Sequence, residues 1–132
     1  MPAQIHRISW SKNIAIAVNA ATTDFLNIES AEKGMVFVPS AWNAADLCFL
    51  TTSQSNADRL ATDQLPSDPA YALMRDEFGV ALRITPVVPG TWHYIPAKAL
   101  GVKYLQIQST NVGATTPTNQ VDARALVIVL KS

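Results

Sequence analysis

The sequence predicts an all-β fold, an antiparallel β-sandwich of jelly-roll type with one or two short helical turns. Three observations predict it. Short stretches alternate in character: Ile14, Ile16 and Val18 alternate with Asn13, Ala15, Ala17 and Asn19, and Val80, Leu82 and Ile84 with Ala81, Arg83 and Thr85. A period of two sends one set of side chains to a buried sheet face and the other outward. These stretches are rich in Val, Ile, Phe, Tyr and Thr, which suit a pleated surface. All eight prolines fall at the ends of such stretches or between them, as residues that cannot donate to a sheet ladder must.

In chain order the expected strands are residues 4–10, 13–18, 23–28, 35–38, 47–52, 71–74, 80–85, 91–95, 103–108 and 123–130. Asp76-Glu77-Phe78-Gly79 reads as a hairpin turn, with Gly79 supplying positive φ and Asp76 bonding the turn backbone. It is expected to make 71–74 and 80–85 neighbours. Pro96-Ala97-Lys98-Ala99-Leu100-Gly101 has proline at a helix start and glycine at its stop, so one helical turn fits there. Residues 40–45 suit a similar turn. The two places echo each other. Val38-Pro39, an Ala-rich turn and residues 46–53 match Ile95-Pro96, an Ala-rich turn and residues 103–110, at an offset of 57 residues. The echo reads either as two equivalent strand–corner–strand elements on opposite sheets, or as coincidence in a β-rich chain. Residues 127–130 are apolar on both faces, which suits a central strand or one covered by another subunit.

Two segments lack strand character. Residues 54–70 carry Asp58, Asp63, Pro66, Asp68 and Pro69; residues 111–121 carry Gly113, the Thr-rich patch with Thr115 and Thr116, and Pro117. Long loops on a compact domain are common contact elements.

Composition bounds the function. The 132 residues make one expected domain, with 1–11 as an N-terminal arm, and at this size a core needs no disulfide or metal. Ten basic and ten acidic residues cancel, and the basic ones are scattered, so neither a nucleic-acid stripe nor a polybasic membrane patch is expected. The chain is 48% hydrophobic but only 15% charged, below the ~25% usual for soluble domains, which points to surface covered by a partner. The longest apolar run at the C-terminus, residues 125–130, is far short of the ~20 residues of a membrane helix. Polar Gln4, His6 and Arg7 stand where a signal peptide would be apolar. Cys48, the single cysteine, sits between Leu47 and Phe49 and reads as a buried reduced thiol.

No motif for catalysis stands on this scaffold. Asp58, Asp63 and Asp68 are spaced by five, unlike the tight alternation of calcium loops, and read as solvated carboxylates. His6 and His93 form no zinc spacing. The chain has no GxSxG elbow and no glycine-rich nucleotide loop. No enzyme, cofactor or metal is therefore expected. The aromatics Trp10, Trp42, Trp92, Tyr71, Tyr94 and Tyr104 read as core or interface anchors, or as a stacking platform for sugar. Trp42, on a turn beside proline, is expected to plug one end of the core.

Three segments carry a resemblance. Val38-Pro39-Ser40-Ala41-Trp42-Asn43-Ala44-Ala45-Asp46-Leu47-Cys48-Phe49, Arg75-Asp76-Glu77-Phe78-Gly79 and Leu100-Gly101-Val102-Lys103-Tyr104-Leu105-Gln106-Ile107-Gln108-Ser109 resemble segments of small structural proteins of tailed bacteriophages. Asn119-Gln120 and Arg124-Ala125-Leu126 continue the pattern, which spans residues 36–129; the first 30 residues have no counterpart in it. The resemblance implies a head decoration, or cement, protein: a non-catalytic virion protein that stabilises a capsid. Its implied partners are the major capsid protein or another virion protein and further copies of itself, with a trimer suited to shell symmetry. Assembly would take place in the bacterial host cytoplasm, where a reduced thiol is at home. The interface candidates are Trp10, Trp42, Trp92, Tyr94, Asp58, Asp63, Asp68, Thr115 and Thr116. The alternative is a carbohydrate- or receptor-binding sandwich of a phage tail, neck or fibre.

Overall fold

A computed structural model describes residues 9–28, 31–52 and 72–132. Nine strands follow in order: β1 (Ser9–Ile16), β2 (Leu26–Asn27), β3 (Lys33–Val38), β4 (Asp46–Thr52), β5 (Ala72–Leu73), β6 (Arg83–Ile84), β7 (Thr91–Tyr94), β8 (Tyr104–Thr110) and β9 (Arg124–Lys131). A 3-10 turn, Ala97–Leu100, starts after Pro96 and stops at Gly101, where the proline and glycine place it.

The pairing follows one rule. The chain folds on itself as a long hairpin, with β1 against β9, β2 against β8, β3 against β7, and β4 against β5 and β6. That ribbon then rolls, so β9 also pairs β3 and β8 also pairs β4. All these ladders are antiparallel. The first sheet has the order β1-β9-β3-β7 and the second β2-β8-β4 with β5 and β6 on its edge. With β5 and β6 taken as two pieces of one edge strand, this is the double Greek key of a jelly roll. The sandwich is therefore as expected, including the central position of β9.

Alternation decides which side chains fill the space between the sheets. Ile14 and Ile16 of β1, Val36 and Val38 of β3, and Leu126, Ile128 and Leu130 of β9 point inward from the first sheet. Leu47, Phe49, Leu105 and Ile107 meet them from the second. Trp42 is buried at the corner between β3 and β4, and its Nε1 donates to the Ala45 carbonyl at 3.2 Å. It is part of the core cluster, as expected of a corner plug.

Three expectations need correction. Residues 9–16 form one strand that joins parts of the expected 4–10 and 13–18. Ser11 faces outward and Lys12 pairs with Ile128, so the ladder runs through both polar residues. Of the expected arm, residues 9–11 belong to this strand, and 1–8 lie outside the described residues. The echoing corners do not lie on opposite sheets. Each carries the chain from the first sheet to the second, β3 to β4 and β7 to β8, and the two run side by side because β3 pairs β7 and β4 pairs β8. The regular strands within 23–28, 71–74 and 80–85 shrink to two residues each, with isolated bridges at Thr22, Thr23, Arg75 and Ala81 beside them. The 76–79 turn makes neighbours of its arms as expected, through Arg75–Ala81 and the Leu82 N–H to the Met74 carbonyl, while β5 and β6 each pair with β4. Residues 74–82 thus leave the β4 edge as a hairpin and return to it.

Candidate interaction surface

Register sets the outer face of the first sheet. Val36 and Val38 point into the core, so Met35 and Phe37 point out. Opposite them on β7 stand Tyr94 and Trp92, and on β9 Val129 and Val127. Two apolar rows result: Tyr94–Met35–Val129 and Trp92–Phe37–Val127. The Phe37 and Trp92 rings lie 5.3 Å apart. Tyr94 is 79% exposed and Trp92 45%. On an antiparallel sheet with one face in water, the outer positions are ordinarily polar. Here polar residues hold those positions on β1, at Ser9, Ser11 and Asn13, and at the Lys33–Lys131 end of the β3–β9 ladder.

Beyond the Tyr94 row the face opens into a cleft of about 280 Å³, lined by Lys33, Gly34, Met35, Tyr94, Val129 and Lys131. Lys33 and Lys131 are direct partners across the β3–β9 ladder. Neither is in an ion pair among the described residues.

The strand edge behind Trp92 is tied to the loop that leads into it. His93 Nε2 lies 3.1 Å from the Val88 N–H, which it accepts, and 3.0 Å from Thr91 Oγ1. Thr91 Oγ1 donates to the Val88 carbonyl at 2.7 Å. His93 is thus an edge-strand side chain whose role is to hold residues 88–91 in place.

The other sequence candidates are dispersed. Trp10 is half-buried and packs against the core from β1, and Trp42 is buried, so neither joins the exposed face. Thr115 and Thr116 are exposed in the loop between β8 and β9, far along the ladders from the cleft. Asp58, Asp63 and Asp68 lie outside the described residues. Among the candidates in the described residues, Trp92 and Tyr94 are the two that the apolar face brings together.

A polar clamp at the corner opposite the cleft was not legible in the sequence. Gln120 is fully buried; its Oε1 accepts the Asn43 N–H at 2.9 Å, and its Nε2 donates to the Asn43 carbonyl at 3.2 Å. Arg124 Nη2 donates to Asn43 Oδ1 at 2.7 Å, and that same oxygen accepts the Val121 N–H at 3.3 Å. Nearby, buried Asp46 accepts the Gly113 N–H at 2.9 Å through Oδ2. These bonds fasten the β8–β9 loop to the β3–β4 corner. Cys48 is a free, buried thiol, 3.4 Å from Thr110 Oγ1.

Among the described residues, the hairpin of residues 74–82 also projects from the sandwich. Asp76 Oδ1 accepts the Phe78 and Val80 N–H groups at 2.8 and 2.9 Å, and Arg75 Nη1 donates to the Gly79 carbonyl at 2.9 Å. The bond from Val80 holds the Asp76 carboxyl below the ordinary aspartate value, although partial desolvation opposes it. Glu77 pairs with Lys98 of the 3-10 turn, which lowers the glutamate pKa and raises that of the lysine. At the tip Gly79 takes a φ of +80°, and Phe78 stands 83% exposed.

No protein-family model, curated protein or solved structure matches this chain. No helix among the described residues is long and apolar enough to cross a membrane. No three His, Cys, Asp or Glu side chains among them converge as metal ligands.

Proposed function

We propose that this chain is a structural protein of a bacteriophage particle, one that decorates and stabilises the capsid as a homo-oligomer and carries out no reaction. The observation that carries the reading is the apolar outer face of the first sheet. Trp92, Phe37 and Val127 in one row and Tyr94, Met35 and Val129 in the next stand where a solvated sheet would place polar residues. A contiguous apolar patch that includes aromatics and is bordered by polar residues is the composition of a protein-binding surface. The jelly roll is an architecture that recurs in capsid proteins. The resemblance of residues 38–49, 75–79 and 100–109 to phage structural proteins points the same way, and zero net charge lets many copies crowd on a shell without mutual repulsion. Repetition over many shell sites multiplies a modest contact into firm attachment.

The test is the copy number in purified particles of the source phage, measured by quantitative peptide mass spectrometry against the major shell protein. A ratio near one copy per shell subunit is expected. A handful of copies per particle replaces shell decoration with a neck or tail role and favours a receptor- or glycan-binding sandwich. Absence from particles overturns the reading.

A further inference from the structure

We propose that residues 111–116 are a strap across the outer face of the second sheet, that the strap lifts without unfolding of the sandwich, and that its lifting controls the access of thiol-reactive molecules to Cys48. The opening belongs to the chain alone and does not depend on a capsid.

Register places the strap. Leu47 and Phe49 of β4 and Ile107 of β8 face the core, so Asp46, Cys48 and Thr110 point outward from the second sheet. Arg83 of β6 stands opposite Cys48 on the other flank of β4 and points the same way, since Ile84 is in the core. Beyond β8 the chain turns back on itself. Thr110 bridges Pro117, and the Asn111 N–H donates to the Thr116 carbonyl at 2.9 Å. The tip of that turn then crosses β4. The Gly113 N–H donates to Asp46 Oδ2 at 2.9 Å, and Arg83 Nη1 donates to the Ala114 carbonyl at 3.3 Å. Successive residues of the strap are thus tied to β4 and to β6 from a root in β8. Cys48 lies between the two ties, two places along β4 from Asp46 and opposite Arg83. Asp46, Cys48 and Thr110 are fully buried there, although they lie on the outward side of the sheet.

Two features make the tie loose. The strap buries little apolar surface of its own: Val112 is 65% exposed, and Asn111, Gly113, Thr115 and Thr116 are exposed as well. A segment with few buried apolar contacts opens at a fraction of the global unfolding free energy. The other feature is Asp46 Oδ1, which is buried without a hydrogen-bond partner among the described residues. A buried oxygen left without a donor carries an uncompensated desolvation cost. Lifting the strap lets water reach it, so the bonds lost at Gly113 and Ala114 are offset in part by hydration of that oxygen. The core is untouched, because Leu47, Phe49 and Ile107 face the other way.

Cys48 is the reactive group that opening uncovers. Its Sγ lies 3.4 Å from Thr110 Oγ1, at the root of the strap. It is the chain's single cysteine, so a thiol reagent reads this position and no other.

Labelling of the full chain with dithiobis-nitrobenzoate, over a range of urea concentrations, tests the proposal. The Cys48 thiolate attacks the reagent's disulfide; one mixed disulfide forms and one thionitrobenzoate leaves. The wild-type rate is expected to stay nearly constant through low urea and to climb only near the unfolding midpoint, because an opening that exposes little surface depends little on denaturant. Gly113→Pro removes the donor to Asp46 and cannot keep the φ of +75°. It should label roughly tenfold faster or more, at an unchanged urea midpoint. Arg83→Ala removes the second tie and should speed labelling roughly fivefold. A wild-type rate that follows global unfolding from the first additions of urea, or a Gly113→Pro variant that labels no faster than the wild type, overturns the proposal.

Discussion

Arg124 Nη2 reaches Asn43 Oδ1 at 2.7 Å across 81 residues of sequence. Buried Gln120 holds the same asparagine through its backbone N–H and carbonyl. The Arg124 bond is charge-assisted and its donor is almost fully buried. Removing it leaves Gln120 and Asn43 acceptors short of a donor. Arg124→Met is therefore expected to cost about 2 kcal/mol, read in urea denaturation as a lower midpoint at an unchanged slope. A midpoint within error of the wild type would mean that the clamp contributes nothing to stability.

Trp42 closes the corner where β3 passes to β4. Trp42→Ala opens a cavity there and should destabilise by about 3–5 kcal/mol. Trp42→Phe keeps most of the ring and gives up the bond to the Ala45 carbonyl, a loss of about 1 kcal/mol. The ordering of the two variants by thermal unfolding is the check, and equal effects would count against the plug.

The Asp76 turn carries a pH signature. Its carboxyl titrates lower when folded than when unfolded, because the charged form accepts the Val80 and Phe78 N–H groups. Its support for the hairpin is therefore complete above the ordinary aspartate pKa and lost as pH falls through the lower folded value. Amide resonances of Phe78 and Val80 should move together in that acidic window, while those of β8 and β9 stay fixed. In Asp76→Asn the movement should vanish.

Gly79 allows a cleaner test of the same hairpin. A Cβ there meets open space, so Gly79→Ala is opposed only by its φ of +80°. The expected cost is about 1 kcal/mol, seen as faster amide exchange at 76–80 with the core unchanged. Uniform loss of protection would show that the hairpin is coupled to the sandwich.

Trp92 and Tyr94 separate folding from contact. Tyr94 is exposed and Trp92 keeps a ring contact with Phe37, so Trp92→Ser with Tyr94→Ser should lower unfolding free energy by about 1–2 kcal/mol and leave the chain folded. The same pair should reduce co-sedimentation with phage shells by tenfold or more. Undiminished binding would move the contact to another surface.

The fold was legible because alternation survives reading one residue at a time. Ile14, Ile16, Leu82 and Ile84 declare their inward face, and Pro39 and Pro96 mark two of the crossings between sheets. The β1 ladder was harder to read. Ser11 and Lys12 fall between two expected strands, and only β9 running beside them joins the two. The surface was legible only in part. Trp42 could be read as a plug from its turn beside proline, but nothing local tells that Trp92 faces water; that comes from the register of β7 on β3. The Asn43–Gln120–Arg124 clamp left no signal, since only the closed sandwich brings its members together. The cleft likewise needs Lys33 and Lys131 in register from opposite ends of the chain.

The hairpin that interrupts the β4 edge has a last consequence. Exposed sheet edges invite foreign strands to add, and the danger grows with the length of the unbroken edge. Here β5 and β6 supply only two residues apiece before the chain swings out between them. An intruding strand finds no continuous row of free amides and carbonyls to copy along that flank. Along that flank, contact with another molecule is left to side chains rather than to strand addition.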